Sequence, residues 1–458
     1  MESSPVTYFA FEDISFEGIH YRAILQTNHY IDKIYQLYIG YIICKEAGFM
    51  TFTKTERQIN TSLELTGREL LFVIAVFLKM IVEILSLTVI PYMAGENFCE
   101  AVFKIMTYTS YGLVVISFLL TPKITTSEII RIMVLVVITA AGSYFAGNGI
   151  LLTLIYLYAA KDINVEKVFL ILGYIYILLF ILIVLLSLLG IIENWDYPQG
   201  GSRPTRWGLG YTYPTHTSSV LFMSVLIFCY IQKEQLNLVH VAVLELINLW
   251  VFSYTDSRAG MMLCAVIPIV FYLLKFRKKE FRKTVFGWLQ QWSFPVCAIL
   301  IYVVTMAYKG TGFLTKLDSW LSGRLYYSNY SMHEYGVHLF GQKIVWIGYG
   351  GLGHTHTQLA DVYNFVDTSY LKLLLENGLI VWLLIMIMWT AVSILAYRNN
   401  KRYLTWAFTF LAVYSIVEQW LMNLGTNPFL IFLGVYIFRA IIHVTDRENN
   451  MAYLREIH

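Results

Sequence analysis

Four arginines lie in the polar segments that separate long apolar runs of this sequence. Arg203 and Arg206 share one segment, Arg258 lies in the next, and Arg324 lies in the longest. Arginine suits phosphate because its planar guanidinium stays charged and donates parallel hydrogen bonds to two oxygens. The four side chains therefore predict a site for a phosphate-bearing ligand.

Other polar residues could add acid-base chemistry. Asp367 directly precedes an apolar run, where it could act as a general base or simply cap a helix. His216 opens another run and is either a substrate contact or an interfacial residue. His354 and His356 could be ligands or bases, but two histidines two positions apart, without a third ligand nearby, do not predict a metal site.

The longest polar segment is also rich in aromatic residues and glycine. Aromatic rings suit sugar rings, but they equally suit an interfacial belt of a membrane protein. The glycines at 348–353 lack the Lys-Ser/Thr ending of a phosphate loop, so nucleotide binding is rejected. The aromatic residues are Trp320, Tyr326, Tyr327, Tyr330, Tyr335, Phe340, Trp346 and Tyr349.

Composition sets the class of protein. The chain has 458 residues, of which 57% are hydrophobic and 14% charged, and its mean hydropathy is +0.60. These values indicate a polytopic membrane protein. A formal net charge of +3 gives no reason to expect a nucleic-acid partner. The five cysteines show no C-x-x-C spacing, so neither a disulfide framework nor a zinc site is expected, and no cofactor is predicted.

Apolar runs of roughly 17 to 25 residues, the length that crosses ~30 Å of hydrocarbon, recur along the chain. They predict an all-α protein with about twelve transmembrane helices. The predicted spans are 70–92, 103–121, 129–146, 149–160, 168–192, 216–232, 236–253, 259–275, 285–308, 369–396, 403–420 and 428–443.

Basic residues predict the orientation. The densest clusters lie at 275–283 and 398–402, and the positive-inside rule places both in the cytoplasm. Both termini are then cytoplasmic, and the loops 194–217, 254–260 and 308–367 lie outside. Arginines on the outer side run against this bias, which strengthens the case for a binding function.

These assignments divide the chain into four parts. Residues 1–62 are an N-terminal cytoplasmic segment, either a membrane-associated helix in part or a segment without a structural role. Residues 63–308 hold the first nine helices, 309–368 form one long extracytoplasmic loop, and 369–458 hold the last three helices and a cytoplasmic tail.

One charged pair is predicted inside a span. Lys79 and Glu83 are four residues apart and therefore lie on the same helix face. Pairing would lower the cost of holding both charges in lipid.

Four motifs, in order, resemble those of the bacterial O-antigen and capsular polysaccharide polymerases of the Wzy type, which are similar to the O-antigen ligases. Residues 206–215 resemble an Arg, Gly-aromatic, Pro-Asn pattern, with Thr215 in place of the Asn. Residues 255–260 resemble a Ser-Arg-small motif, and residues 321–324 a Ser-Gly-Arg motif. Residues 367–379 resemble an Asp-Asn-Ser-Tyr-Leu…Gly-Leu element.

The resemblance implies a GT-C-like glycosyltransferase in the bacterial inner membrane. It would move a growing glycan from undecaprenyl pyrophosphate onto a lipid-linked repeat unit at the outer face, alongside a flippase and a chain-length regulator. Arg206, Arg258 and Arg324 would then neutralise the pyrophosphate. Asp367 would accept the proton of the attacking hydroxyl or orient that group, and no metal would be required.

Two other functions stay open. A ligase would pass the finished polysaccharide to another acceptor; in ligases the last motif begins with His-Asn, and Asp367 and Thr368 stand at those positions here, which favours a polymerase. A lipid-linked oligosaccharide flippase would also have about twelve spans, but transporters place charges within spans and show repeated halves.

Overall fold

The computed structural model describes residues 65–120, 126–197, 204–276, 285–348 and 363–436. These residues fold mostly into helices, which are joined by irregular connections and a small β-ribbon. The predicted N-terminal segment, residues 1–62, lies outside the described ranges.

The helices are numbered here in chain order. The first group is α1 (Gly67–Leu85), α2 (Ile90–Ala94), α3 (Glu96–Leu119), α4 (Thr126–Ala146), α5 (Ile150–Ala159) and α6 (Val165–Leu188). The antiparallel strands β1 (Asp196–Tyr197) and β2 (Arg206–Trp207) follow. The second group is α7 (Pro214–Gln232), α8 (Leu238–Thr255), α9 (Arg258–Leu274), α10 (Val285–Gln291), α11 (Ser293–Met306), α12 (Phe313–Trp320), α13 (Arg324–Tyr335), α14 (Ser369–Arg398) and α15 (Arg402–Tyr414). Residues 430–436 are also helical.

Several of these helices could cross a membrane. Within the described ranges, five are long and apolar enough by themselves, namely α3, α6, α7, α8 and α14. Together α10 and α11 make a sixth candidate, bent by 83°. The helical class predicted from the sequence is therefore confirmed, and the length and composition of these helices agree with the predicted membrane protein.

Four predicted spans have different shapes from those expected. The span 70–92 is interrupted, because α1 ends at Leu85 and α2 begins at Ile90. The span 285–308 is bent between α10 and α11, where Pro295 has no N–H to donate to the carbonyl of Gln291 and its ring crowds that carbonyl. The span 369–396 is broken at Gly378, whose φ of 79° is non-helical. The span 403–420 stops as a helix at Tyr414.

Helix α7 lies at the centre of the assembly. Its most apolar window is 78% buried, against 17% for α3, so α7 is surrounded by protein and α3 is peripheral. It packs against α6, α8, α9 and α15. Gly260 permits the close approach of α9, because a Cβ there would lie 1.9 Å from the Ser218 hydroxyl of α7.

The predicted pair on α1 forms. The Lys79 ammonium lies 2.8 Å from a Glu83 carboxylate oxygen. Glu83 also accepts a hydrogen bond from the backbone N–H of Gly425, in the irregular stretch after α15. The pair thus joins α1 to that stretch, and both charges are satisfied inside the protein.

The helices have two chemically different ends. Helices α7, α9 and α14 begin near one another at the first end. At the second end, Lys275 donates to the Leu236 carbonyl and Arg402 pairs with Glu234. The described residues of the two basic clusters, 275–283 and 398–402, therefore lie at this second end. The second end is about 25 Å from the start of α9, measured along that helix.

Candidate functional site

A cavity of about 620 Å³ lies at the end where α7, α9 and α14 begin. Five predicted site residues line it: Arg206, His216, Arg258, Arg324 and Asp367. Three others, Arg203, His354 and His356, lie outside the described residues. The five are spread over more than 160 positions of sequence, so the fold itself brings them together.

The β-ribbon positions Arg206. Its Nε atom donates to the carbonyl of Thr255, at the end of α8, at 2.7 Å. Its guanidinium also lies 5.5 Å from the centroid of the Tyr213 ring. A carbonyl at a helix C-terminus and an aromatic face both favour a cation, so the charge of Arg206 is held at the cavity wall.

Arg258 is the first residue of α9. Asp256, at the end of α8, adopts a left-handed conformation with φ 43°, which turns the chain sharply into α9. The Asp256 carboxylate lies 3.7 Å from Nε of Arg258, a loose contact, and the Arg258 side chain is 40% exposed. This guanidinium borders the cavity without being tightly enclosed.

A tight turn places Arg324. Ser322 and Gly323 both have positive φ values, 59° and 85°, and Arg324 then begins α13. The Asp318 carboxylate accepts hydrogen bonds from the N–H groups of Leu325 and Tyr326 at 2.8 and 3.1 Å. It thereby satisfies backbone donors at the start of α13 and fixes the helix that carries Arg324.

Arg324 bridges two carboxylates. Its Nε donates to Asp367 Oδ2 at 2.8 Å, and its Nη2 donates to Glu418 Oε1 at 3.1 Å. Burial disfavours the charged guanidinium, but the charges of Asp367 and Glu418 outweigh that cost and raise the pKa of Arg324. The three side chains form an ion-paired cluster at the wall of the cavity.

Asp367 is not the helix cap considered above. The residue that caps α14 is Thr368, whose own side chain makes no capping hydrogen bond. The Thr368 hydroxyl and the backbone N–H of Ser369 both donate to the carbonyl of Ser415, at 3.2 and 3.0 Å. The start of α14 is therefore held by the stretch after α15, which leaves the Asp367 carboxylate directed to Arg324.

Glu418 was missed by the sequence reasoning, which placed it inside the predicted span 403–420. Because α15 ends at Tyr414, Glu418 lies in an irregular stretch beside the start of α14. The signal was a single carboxylate in the apolar run around it, since charged residues in such runs are usually functional. Burial and the neighbouring Asp367, against the opposing effect of Arg324, raise the pKa of Glu418 to about 8.

His216 lies in the first turn of α7 and lines the same cavity. Its Nδ1 atom is 3.1 Å from the Thr212 hydroxyl, and its ring lies 6.0 Å from that of Trp420. Thr212 in turn donates to the carbonyl of Leu87 at 3.0 Å, which ties this part of the cavity to the end of α1. His216 is thus oriented by the protein and faces the same cavity as Asp367.

Aromatic rings form one side of the cavity. Tyr327 and Tyr363 meet edge to face, with ring centroids 4.4 Å apart. The ring centroids of Trp346 and Phe365 are 6.3 Å apart. The sequence predicted Trp320, Tyr327 and Trp346 as candidates, and these three line the cavity. Of the other predicted aromatic residues, Tyr349 lies outside the described residues. Rings with apolar faces and polar tips suit a sugar.

The cavity is lined by equal numbers of positively and negatively charged side chains. Among its described lining residues there are three arginines, at 206, 258 and 324, and three carboxylates, at 256, 367 and 418. Their formal charge sums to zero when all are ionised. The cavity is therefore a mixed-charge site, in which Asp256 and Glu418 accompany the predicted arginines and Asp367.

No metal-binding cluster is found among the described residues, where no three His, Cys, Asp or Glu side chains come together. The guanidinium groups of Arg206, Arg258 and Arg324 could donate hydrogen bonds to a phosphate-bearing ligand in the cavity. Comparison of the chain with protein-family models, with characterised proteins and with solved structures finds no match.

Proposed function

We propose that this protein is a polysaccharide polymerase that transfers a growing glycan from undecaprenyl pyrophosphate to a lipid-linked repeat unit. One observation carries the proposal: three arginines and a carboxylate from three polar segments, each residue within a motif that resembles the Wzy type, line one cavity together with aromatic rings. Arginine suits the pyrophosphate, the rings suit the sugars and the carboxylate suits proton transfer.

The proposed reaction has one bond made and one broken. A hydroxyl oxygen of the acceptor sugar attacks the anomeric carbon of the donor glycan and gives its proton to the Asp367 carboxylate. The bond from that carbon to the pyrophosphate oxygen breaks, and the electron pair leaves with the pyrophosphate. Arg206 and Arg258 stabilise the charge that develops on this leaving group.

Arg324 has a double role in this scheme. Its contacts with Asp367 and Glu418, at 2.8 and 3.1 Å, show a guanidinium that is already engaged by carboxylates. It holds Asp367 in place for the acceptor, and it reaches the pyrophosphate only when one of the two carboxylates releases it. Arg206 and Arg258 therefore make the first contacts with the pyrophosphate.

The proposed setting is the inner membrane of a bacterium. The apolar helices, counted with the shorter and broken ones, would form about twelve crossings in a GT-C-like arrangement. The cavity would face outward and the basic end the cytoplasm, which leaves both termini cytoplasmic. The lipid bilayer and the lipid-linked oligosaccharide are the immediate partners, with a flippase and a chain-length regulator acting on the same substrates.

Deletion of the gene tests the type of reaction. We expect the deletion strain to display single repeat units on its surface, or to accumulate them on lipid, and to lack long chains. Complementation with the wild-type gene should restore long chains, as measured by gel separation of surface polysaccharide.

Other outcomes would favour the two alternatives. Long chains that stay on undecaprenyl pyrophosphate and are never passed to a final acceptor would indicate a ligase. Repeat units that remain on the cytoplasmic side would indicate a flippase. Wild-type polysaccharide in the deletion strain would contradict all three functions.

A further inference from the structure

The charge balance of the cavity poses a problem for an anionic ligand. A prenyl pyrophosphate brings at least two negative charges into a space whose three arginines already face three carboxylates. An anion that enters without compensation would be repelled by the carboxylates it approaches. One carboxylate must therefore lose its charge before all three arginines can pair with the ligand.

Glu418 is the carboxylate best suited to lose its charge. It is 9% exposed, and it shares the single guanidinium of Arg324 with Asp367. Asp367 also interacts with Lys372. Glu418 has only a share of the Arg324 charge, so Glu418 lies in a buried place without a full counter-charge. A buried carboxyl in that position accepts a proton readily.

The groups that face Glu418 come from several elements. Arg324 reaches it from α13 and Asp367 from the segment before α14, while Tyr414 of α15 and the Ser219 hydroxyl of α7 complete its surroundings. His216 and Lys372 interact with Asp367. Arg324 is thus the one cation among the described groups that faces Glu418 directly.

We infer that Glu418 is a positioning residue that takes up a proton when a prenyl pyrophosphate enters the cavity, which releases one edge of the Arg324 guanidinium to the phosphate. This inference rests on the proposed function, because it assumes that the cavity binds a prenyl pyrophosphate. Ligand binding and protonation are then linked, and each promotes the other.

The linkage has a definite sign. Below the pH at which Glu418 ionises, the carboxyl is already neutral and binding needs no proton. Above that pH, binding must be accompanied by uptake of one proton, so affinity falls by about tenfold for each pH unit. A Glu418→Gln protein is neutral at every pH and should not show this fall.

The test uses the purified full-length protein in detergent and farnesyl pyrophosphate as the probe. Calorimetry gives the dissociation constant between about pH 6 and about pH 10. We expect wild type and Glu418→Gln to bind equally at the low end. At the high end Glu418→Gln should bind more tightly, by about tenfold per pH unit. Because the probe titrates identically in both experiments, its own protonation cancels in the comparison.

Two further variants complete the design. Glu418→Asp keeps an ionisable group and should keep the pH dependence. Glu234→Gln removes a carboxylate that also pairs with an arginine, Arg402, but at the opposite end of the protein. It should bind like wild type at every pH.

The outcomes separate the inference from the proposed function. A purely structural role for Glu418 predicts weaker binding by Glu418→Gln at every pH, and that result would overturn the inference alone. Equal affinities of wild type and Glu418→Gln at every pH would do the same. If none of the four proteins bound farnesyl pyrophosphate, the proposed substrate class would fall as well.

Discussion

The three arginines of the cavity are held in three different ways, and this decides what each can do. Arg206 is fixed by a backbone carbonyl and a ring, and Arg324 is held by two carboxylates. Arg258 has one loose contact with Asp256 and is 40% exposed. Of the three, Arg258 is therefore the side chain that can most easily turn toward an incoming phosphate.

Replacing Arg258 tests this difference. We expect Arg258→Ala to lower the rate of chain extension by about 10²–10³, the usual effect of removing one group that stabilises a leaving charge. Arg258→Lys should be intermediate, because it keeps the charge but loses the planar fork. The measurement is extension of lipid-linked repeat units, extracted from the deletion strain, by purified protein. Arg402→Ala, at the opposite end, is the control, and a wild-type rate from Arg258→Ala would contradict its role.

Part of this site could be predicted from residue types alone. Arg206, Arg258, Arg324 and Asp367 stand out because they are polar residues between apolar runs, where a charge needs a reason. Glu418 was hidden because its neighbours are apolar and the span was expected to continue through it. The pairing of Arg324 with two carboxylates depends on contacts 43 and 94 positions apart, which spacing alone does not reveal.

Among the elements, α14 departs most from its predicted form. It breaks at Gly378, and the stretch around Gly341 enters the break: the N–H of Leu379 donates to the carbonyl of His338, and that of Gln342 donates to the carbonyl of Glu376, both at 2.9 Å. These bonds satisfy backbone groups that the broken helix leaves open. The break lets residues 369–377 support the cavity while 379–398, about 30 Å long, can cross a membrane.

A side chain at Gly378 should disrupt this joint. Gly378 has a positive φ, and a Cβ there would lie 2.2 Å from the backbone nitrogen of Gly341. We expect Gly378→Ala to lower the thermal unfolding midpoint in detergent and to cost about 2 kcal/mol or more. Gly112→Ala in α3, where an added Cβ meets nothing within 4 Å, should leave the midpoint unchanged or raise it. Equal midpoints for the two variants would contradict the described packing.

Sequence periodicity located the helices but not their interruptions. A run of apolar residues fixes where a helix can lie, and the long apolar helices coincide with predicted runs, whereas α12 and α13 lie within 309–368, which was predicted as a loop. The break at Gly378 and the end of α15 depend on partners from distant segments, Gly341 in one case and the start of α14 in the other. Such tertiary contacts override local pattern and are not visible in it.

At the scale of the whole molecule, the cavity and the basic end lie at opposite ends of the same helices. Arg258 begins α9 in the cavity, and Lys275 follows its last residue. Helices α7 and α14 run the same way, from the cavity toward Lys233 and Arg398. This polarity agrees with the positive-inside rule and makes an outward-facing cavity the expected orientation.

Two exposed lysines allow the orientation to be measured. Lys316 lies in α12 beside the cavity, and Lys401 lies at the start of α15 at the basic end. We expect a membrane-impermeant thiol reagent to label Lys316→Cys in intact cells and Lys401→Cys only after permeabilisation. The cysteines within the described ranges are all buried, so their background labelling should be low. The reverse pattern would contradict the proposed orientation.

The rate of chain extension by Asp367→Asn, in proteoliposomes supplied with lipid-linked repeat units, tests whether this cavity carries out glycan transfer. The amide has nearly the shape of the carboxylate but cannot accept the proton, so extension should fall to background. Glu234→Gln, the same change at the opposite end, should extend chains at the wild-type rate. Extension by Asp367→Asn at the wild-type rate would show that Asp367 does not accept the proton in glycan transfer.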